Sequence, residues 1–171
     1  MKTDNTNKNS FKKLIFETIK DQDGYPPVEF ESIWGIQITT NTFVIDNTPY
    51  YIYGLSKGDT VLATMKNHEF VGSKIVSKGG HSTLRAFVEK SDIRQSIRDE
   101  IIKLGADCNG VTGGSLLAID IPPAADFDRI DKFLSSLSND ETIAYEDACL
   151  QHNTGDAERE KECLEISSVP F

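Results

Sequence analysis

The chain has 171 residues, 38% of them hydrophobic and 26% charged, with a formal net charge of −9 at pH 7. This composition is typical of one globular domain, or of two small domains that share a core, and it excludes an intrinsically disordered chain. No apolar run approaches the roughly 20 residues of a membrane-spanning helix, and residues 1–9 lack the apolar segment of a signal peptide, so the sequence predicts a cytoplasmic protein without membrane contact.

The N-terminal half has the pattern of an all-β structure. The first ten residues are rich in Asn, Lys, Thr and Ser and predict a disordered leader. From residue 11 to 81, short alternating stretches are separated by turn formers such as Gly, Pro, Asn and Asp. They predict strands at residues 11–19, 28–39, 42–45, 60–64 and 69–77. We therefore expect a small antiparallel, barrel-like half.

The pattern of apolar residues changes after residue 81, where longer segments with helical periodicity appear between the strands. Ser91 or Asp92 can cap a helix that Gly105 ends, and Asp126 can cap a second helix. Strands are predicted at residues 83–89, 107–111, 116–121 and 142–150. The order βαββαβ predicts a ferredoxin-like half over residues 82–152, with both helices on one face of an antiparallel sheet. The fold class is therefore α+β.

The last segment, residues 153–171, combines mixed charge with little apolar periodicity. It holds two basic residues against five acidic ones. We expect it to be a flexible acidic tail.

Four motifs occur in order along the chain. They are Asp23-Gly24-Tyr25-Pro26-Pro27, Asp46-Asn47-Thr48-Pro49, Gly54-Leu55-Ser56-Lys57-Gly58-Asp59 and Gly80-His81-Ser82-Thr83-Leu84-Arg85. Through these motifs residues 11–152 resemble a bacterial domain-of-unknown-function family, number four-two-six-five. The resemblance implies no activity, substrate or cofactor.

The last of these motifs carries the most versatile side chains of the chain. His81 can transfer a proton near neutral pH, and Arg85 can bind a carboxylate or phosphate. In a strand that begins at Ser82, Thr83 and Arg85 share one face, and Ser82 lies on the other. His81, Ser82, Thr83 and Arg85 are therefore a candidate ligand or partner site at the boundary of the two halves. The alternatives are a structural turn, which we favour, and a catalytic site.

No catalytic, metal or cofactor site is predicted. The segment Gly54-Leu55-Ser56-Lys57-Gly58-Asp59 predicts a β-turn, and His68, His81 and His152 lack the close spacing of metal ligands. The three cysteines include no Cys-x-x-Cys pair, and Cys149 lies in an apolar run that predicts a small buried side chain. The sequence leaves enzymatic activity open and favours a protein that is not an enzyme.

Charge is distributed unevenly, which bears on possible partners. Residues 1–90 hold 11 basic and 10 acidic residues, whereas residues 91–147 hold 5 basic and 12 acidic residues, a net charge of −7. An acidic half argues against nucleic acid and favours a basic protein partner. The candidate partner face consists of Glu100, Asp107, Asp140, Glu141, Glu146 and Asp147.

Two hypotheses about function follow. The first is an immunity-type protein that masks a basic toxin through its acidic half. The second is a small-molecule-binding domain or an enzyme that uses the boundary around His81, Ser82 and Arg85.

Overall fold

The N-terminal half is a closed barrel. The computed structural model of the protein describes residues 10–139 and 142–167, so the predicted leader lies almost entirely outside the described residues. Five strands form the barrel: β1 (Phe11–Glu17), β2 (Phe30–Gln37), β3 (Thr42–Ile45), β4 (Thr60–Lys66) and β5 (Glu69–Ser77). Neighbouring strands pair antiparallel, and a short parallel pairing of β1 with β5 closes the barrel.

The barrel core follows from the alternation of apolar residues that the sequence predicts. Leu14 and Phe16 of β1, Ile33 of β2 and Phe43 of β3 point inward and are fully buried. Gly72 of β5 faces Phe16, whose ring leaves no room for a Cβ atom there. The predicted barrel-like half is thus confirmed, and its closure is the new finding.

The C-terminal half is the predicted βαββαβ unit. Its elements are β6 (Ser82–Val88), α1 (Ser91–Lys103), β7 (Asp107–Gly110), β8 (Leu116–Ile121), α2 (Phe127–Leu137) and β9 (Ile143–Cys149). The strands form an antiparallel sheet in the order β7-β8-β6-β9. This is the strand order of a ferredoxin-like fold.

Both helices bury one face against this sheet. Ile97 and Ile101 of α1 and Ile130 and Leu134 of α2 are buried in the same core as the sheet residues Leu84, Ala86, Leu117 and Ile119. The side chain of Asp126 accepts a hydrogen bond from the backbone N–H of Arg129 at 3.2 Å, so it caps α2 as predicted.

The caps of α1 differ in part from the prediction. Ser91 and Asp92 are the first two helical residues, and the preceding Lys90 makes no side-chain capping bond. Gly105 has a φ of +92°, the left-handed conformation in which a helix-ending glycine is favoured.

Over the described part of the predicted tail, the expectation of flexibility is corrected by a third helix, α3 (Ala157–Ser167), whereas residues 168–171 lie outside the described residues. Asp156 caps it by accepting hydrogen bonds from the N–H groups of Glu158 and Arg159. Arg159 then binds Asp131 of α2 at 2.8 Å and Asp147 of β9 at 2.7 Å. The helix is held largely by ion pairs rather than by an apolar stripe, and hydrophobic periodicity therefore does not reveal it.

Candidate functional site

Polar residues from two of the sequence motifs converge with polar residues from the second half where the barrel meets the sheet. We call this boundary the seam and define it by Ser56, Asp59, His81, Ser82, Thr83, Asp120, Gln151 and His152. Strand β6 supplies the central residues, because it follows the barrel directly and lies in the middle of the second sheet. The two halves are therefore joined through side chains that are far apart in sequence.

Asp59 is the centre of the seam. Its fully buried carboxylate accepts hydrogen bonds from the backbone N–H groups of Ser56 at 3.0 Å and Gly79 at 2.8 Å. The side-chain amide of Gln151 donates a third bond at 2.8 Å, and Lys78 Nζ lies 3.4 Å away. One carboxylate thus ties two turns of the barrel region to the segment that follows β9.

The hydroxyls of Ser82 and Thr83 are both occupied by internal contacts. Ser82 Oγ accepts the backbone N–H groups of Gln151 at 2.8 Å and His152 at 3.0 Å. The hydroxyl of Ser82 can then donate its proton to His152 Nδ1, 2.7 Å away. The other ring nitrogen, His152 Nε2, can donate to the carbonyl of Pro122 at 3.1 Å. Thr83 Oγ1 bonds Ser56 Oγ across the seam at 2.7 Å. Ser82 is fully buried and saturated, an arrangement that suits a structural clamp better than a nucleophile.

His81 and Asp120 are in hydrogen-bond contact. His81 Nδ1 lies 2.8 Å from Asp120 Oδ1, and the carboxylate is almost completely buried, whereas the imidazole is 19% exposed. Burial raises the pKa of Asp120 above its ordinary value, although the hydrogen bond and charge of His81 oppose this. Among the described residues, His81 Nε2 has no hydrogen-bond partner. The pair could therefore orient a proton-transferring or ligand-binding nitrogen.

The imidazole of His81 also packs against the turn at Gly58. A Cβ atom at Gly58 would come within 2.9 Å of His81 Cδ2, and Gly58 has a φ of +84°. Both facts require glycine at this position, because a side chain would strain the backbone and displace the imidazole.

Arg85 is fully buried away from the His81 pair. Its Nη2 donates to the carbonyl of Ile52 at 2.7 Å, and its guanidinium lies 4.5 Å from the centre of the Tyr53 ring. Its Nη1 is 3.6 Å from Glu146 Oε1, which accepts a hydrogen bond from the hydroxyl of Tyr53 at 2.9 Å. Burial raises the pKa of Tyr53 above its ordinary value, and the adjacent Glu146 adds to this shift.

Glu31 is a buried acid that the sequence interpretation did not identify. Its carboxylate accepts the backbone N–H groups of Tyr50 at 2.6 Å, Tyr51 at 2.8 Å and Ile52 at 3.2 Å. Burial raises the pKa of Glu31, although these bonds and the charge of Arg85 oppose the shift. The sequence signal that could have identified Glu31 as an inward-facing residue is its position in β2, two residues before the inward-facing Ile33.

The candidate residues of the last motif thus lie close together in sequence but serve separate contacts. His81 and Thr83 reach different partners in the seam, Ser82 binds the segment after β9, and Arg85 binds the loop at Ile52. His152 is also part of the seam, and its ring stacks on Phe127 with 5.5 Å between the ring centres.

The described members of the candidate acidic face contact different parts of the protein and do not form one cluster. Glu146 contacts Arg85 on the barrel side of the sheet, whereas its neighbour Asp147 contacts Arg159 of α3. Glu100 pairs with Lys103 on α1 at 3.4 Å, and Asp107 is exposed at the start of β7. Asp140 and Glu141 lie outside the described residues.

A second surface feature lies on the outside of the barrel. Phe11, Phe30 and Trp34 are 57%, 56% and 52% exposed. In the antiparallel register of β1 and β2, Phe11 lies opposite Ile36 and Phe30 opposite Glu17. We call Phe11, Phe30, Trp34 and Ile36 the outer aromatic face. The sequence predicted a half-buried strand here but could not show which of its faces is solvated.

Membrane-spanning helices and metal-binding clusters are both absent from the described part of the chain. Over residues 10–139 and 142–167, no helix is both long and apolar enough to cross a membrane. Within the same ranges, no group of three or more His, Cys, Asp or Glu side chains is placed to hold a metal ion.

Comparison with known proteins gives a family and a fold. No curated protein matches the chain. A crystal structure of a hypothetical protein from Neisseria gonorrhoeae is similar, with a TM-score of 0.68 and 17% identity over 84% of this chain and 98% of that one. At this identity the likeness shows the fold alone. The profile of the family described as Domain of unknown function (DUF4265) matches residues 31–145, about two thirds of the chain, and the chain therefore belongs to that family.

Proposed function

We propose that this protein acts by binding another protein, and that the partner is basic. The observation that carries the proposal is the outer aromatic face, on which Phe11, Phe30 and Trp34 are each more than half exposed. Exposed aromatic side chains are enriched at protein interfaces, where Trp and other large rings supply much of the binding energy.

Charge supports a basic partner. The chain has a net charge of −9, and the Phe30 end of the face is flanked by the exposed carboxylates Glu17 and Glu29. Lys13 lies opposite Trp34, so the acidic character belongs to the Phe30 end. Complementary charge would raise the association rate with a basic protein and suppress acidic competitors.

The specific form of the proposal is an immunity-type protein that masks a basic toxin in the cytoplasm. Its support is the small acidic chain and the internal use of the motif side chains, which leaves recognition to an exposed surface. We do not assign the contact to Glu146 and Asp147, because both contact arginine side chains of this chain. The outer aromatic face and its acidic flank replace the carboxylates that charge alone suggested.

The test is an affinity capture from the native host followed by binding of the purified pair. The wild type should capture a basic protein, and the Phe30→Ser, Trp34→Ser double variant should not. A Met65→Ser, Ile102→Ser variant is the matched control, because Met65 and Ile102 are 57% and 48% exposed outside the face.

The purified pair is then tested for electrostatic steering. The on-rate should fall as salt shortens the Debye length below about 10 Å, and Glu17→Lys with Glu29→Lys should slow association. Capture that is equal for the wild type and the face variant, or a partner that is not basic, contradicts the proposal.

A second candidate function rests on His81. Its Nδ1 is fixed by Asp120 at 2.8 Å, and its Nε2 has no partner in the described ranges. This arrangement favours a small-molecule-binding or catalytic role at the seam, with His81 as the proton carrier, Ser82 as its neighbour and Arg85 farther along β6. A screen for ligands that raise the melting temperature of the wild type but not of His81→Gln tests it.

A further inference from the structure

A cavity lies where the end of β1 meets residues 51–53 and the last turn of α3. It has a volume of about 220 Å³, and its walls include Ile19, Tyr51, Tyr53 and Ile166. We call it the tyrosine cavity. Sites for drug-sized ligands enclose roughly 300–1,000 Å³, so this smaller cavity is better suited to one long side chain.

The charged residues of the tyrosine cavity give it an acidic character. Glu17 and Asp21 contribute two carboxylates and Lys20 contributes one ammonium group, which leaves a net charge of −1. All three side chains are exposed to solvent. Asp21 Oδ1 is fixed by the backbone N–H groups of Asp23 and Tyr25, each at 2.9 Å. The rim therefore favours a cationic group over an anionic one.

The aromatic walls favour a guanidinium in particular. The ring of Tyr53 already has one guanidinium beside it, that of Arg85, 4.5 Å from the ring centre. The charge of Arg85 is offset by Glu146, 3.6 Å away, and this reduces its repulsion of a second cation. A guanidinium is planar and weakly hydrated, so it can stack on an aromatic ring while it pairs with a carboxylate.

The tyrosine cavity adjoins the outer aromatic face. Glu17 lines the cavity, and in the register of β1 and β2 it lies directly opposite Phe30, a member of that face. Ile19 follows two residues later and is 56% exposed. A protein seated on the outer aromatic face can therefore reach the cavity with a neighbouring side chain.

We propose that the tyrosine cavity receives an arginine side chain of the basic partner. The inference rests on the proposed function, because it names the group through which that partner is recognised beside the face. The guanidinium pairs with the carboxylates of Glu17 and Asp21, and the methylene groups contact Ile19, Tyr51 and Ile166. Arginine suits this role because it is enriched at protein interfaces and in their hot spots.

The experiment titrates the isolated full-length protein with Nα-acetyl-arginine methylamide and follows backbone amide signals by nuclear magnetic resonance. The signals of residues 17–21 and 51–53 should shift and saturate. The citrulline analogue has a neutral urea group in place of the guanidinium and nearly the same shape. It should bind at least about threefold more weakly, because it loses the charge interactions.

A pair of variants on α3 tests the location of the site. Ile166 and Leu164 are 49% and 66% exposed, but Leu164 lines a different cavity. Ile166→Lys should weaken binding of the arginine probe at least about threefold, because it places an ammonium group at the mouth of the tyrosine cavity. Leu164→Lys adds the same charge to the same helix and should bind the probe as the wild type does.

Equal binding of the two probes, unchanged binding in Ile166→Lys, or no saturable shift in the residues of the cavity overturns the proposal. Nuclear Overhauser contacts between Tyr51 and residues 168–171 in the probe-free protein would assign the cavity to the chain itself and would also overturn it.

The titration can fail independently of the proposed function, because it needs no partner. The Phe30→Ser, Trp34→Ser variant should bind the arginine probe like the wild type, although it should not capture the partner. A failed titration beside a capture that depends on the face would refute only the arginine site. A failed capture beside a successful titration would refute only the proposed function.

Discussion

At the scale of single residues, the interior of this protein contains several polar side chains that a core of its size rarely holds. Asp59 and Arg85 are fully buried, and Asp120 is 2% exposed. Each bonds a group distant in sequence, because a buried polar group without a partner costs about 1–3 kcal/mol. These contacts determine how the barrel and the second sheet are joined.

Arg85→Ala should destabilise the protein by about 1–3 kcal/mol, because it leaves the carbonyl of Ile52 and the carboxylate of Glu146 without their cationic partner. Urea denaturation measures the change in unfolding free energy. Arg129→Ala removes an exposed arginine and serves as the control. A loss no greater than that of the control would indicate that Arg85 is held for a ligand rather than for the fold.

The sequence predicts residue positions in the seam only in part. Alternation in β6 correctly separates Thr83 and Arg85 from Ser82, because neighbouring residues in a strand face opposite sides. The partners Asp59, Asp120 and Gln151 were not predicted. They lie 24, 37 and 68 residues from Thr83 in the sequence, and only the folded topology brings them to one place.

At the scale of elements, the helices of the second half depend on apolar burial. Ile130→Asp in α2 should prevent folding, since an unpaired charge in the core costs several kcal/mol, against a total stability of about 5–15 kcal/mol. Lys132→Asp, exposed on the same helix, should fold normally. Thermal unfolding followed by circular dichroism measures both, and a cooperative transition for Ile130→Asp would contradict the packing described here.

Helix α3 should detach from the protein at low pH. Burial disfavours the charged form of Asp131, but the hydrogen bonds and charge of Arg159 outweigh this and hold the pKa of the carboxyl below its ordinary value. The stabilisation is therefore present above the unfolded pKa of about 4 and is lost as pH falls through the lower folded pKa.

Hydrogen exchange of residues 157–167, measured from about pH 6 down to about pH 3, follows this detachment, because the lower pH is about one unit below the unfolded carboxyl pKa. Exchange rates, corrected for intrinsic pH dependence, should rise as the pH falls in the wild type. Asp131→Asn should show weak protection already at the higher pH. Protection of α3 that is independent of both pH and Asp131 would show that the ion pairs do not hold it.

The sequence predicts best the strands and helices in which apolar residues recur at regular spacing. Strands β3 and β5 and the cap of α2 at Asp126 agree with expectation, because alternation and capping are local properties. Helix α3 was missed because Arg159 and its two carboxylates, rather than an apolar stripe, hold it in place.

At the scale of the whole molecule, two halves with different chemistry are fixed together by the seam. The barrel carries the outer aromatic face, and the ferredoxin-like half carries most of the negative charge. Net charge was available from the sequence, but its placement was not, since Glu146 and Asp147 are adjacent residues held by different internal partners. The surface that remains for a partner could be identified only from the fold.

The most direct test of the proposed function is the dissociation constant of the purified partner for four forms of the protein. These are the wild type, Phe30→Ser with Trp34→Ser, Met65→Ser with Ile102→Ser, and His81→Gln. We expect the face variant to bind at least about tenfold more weakly, a loss of about 1.4 kcal/mol. The Met65→Ser, Ile102→Ser variant and the His81→Gln variant should bind the partner with the dissociation constant of the wild type. Loss of binding in His81→Gln with unchanged binding in the face variant would contradict this account and place recognition at the seam.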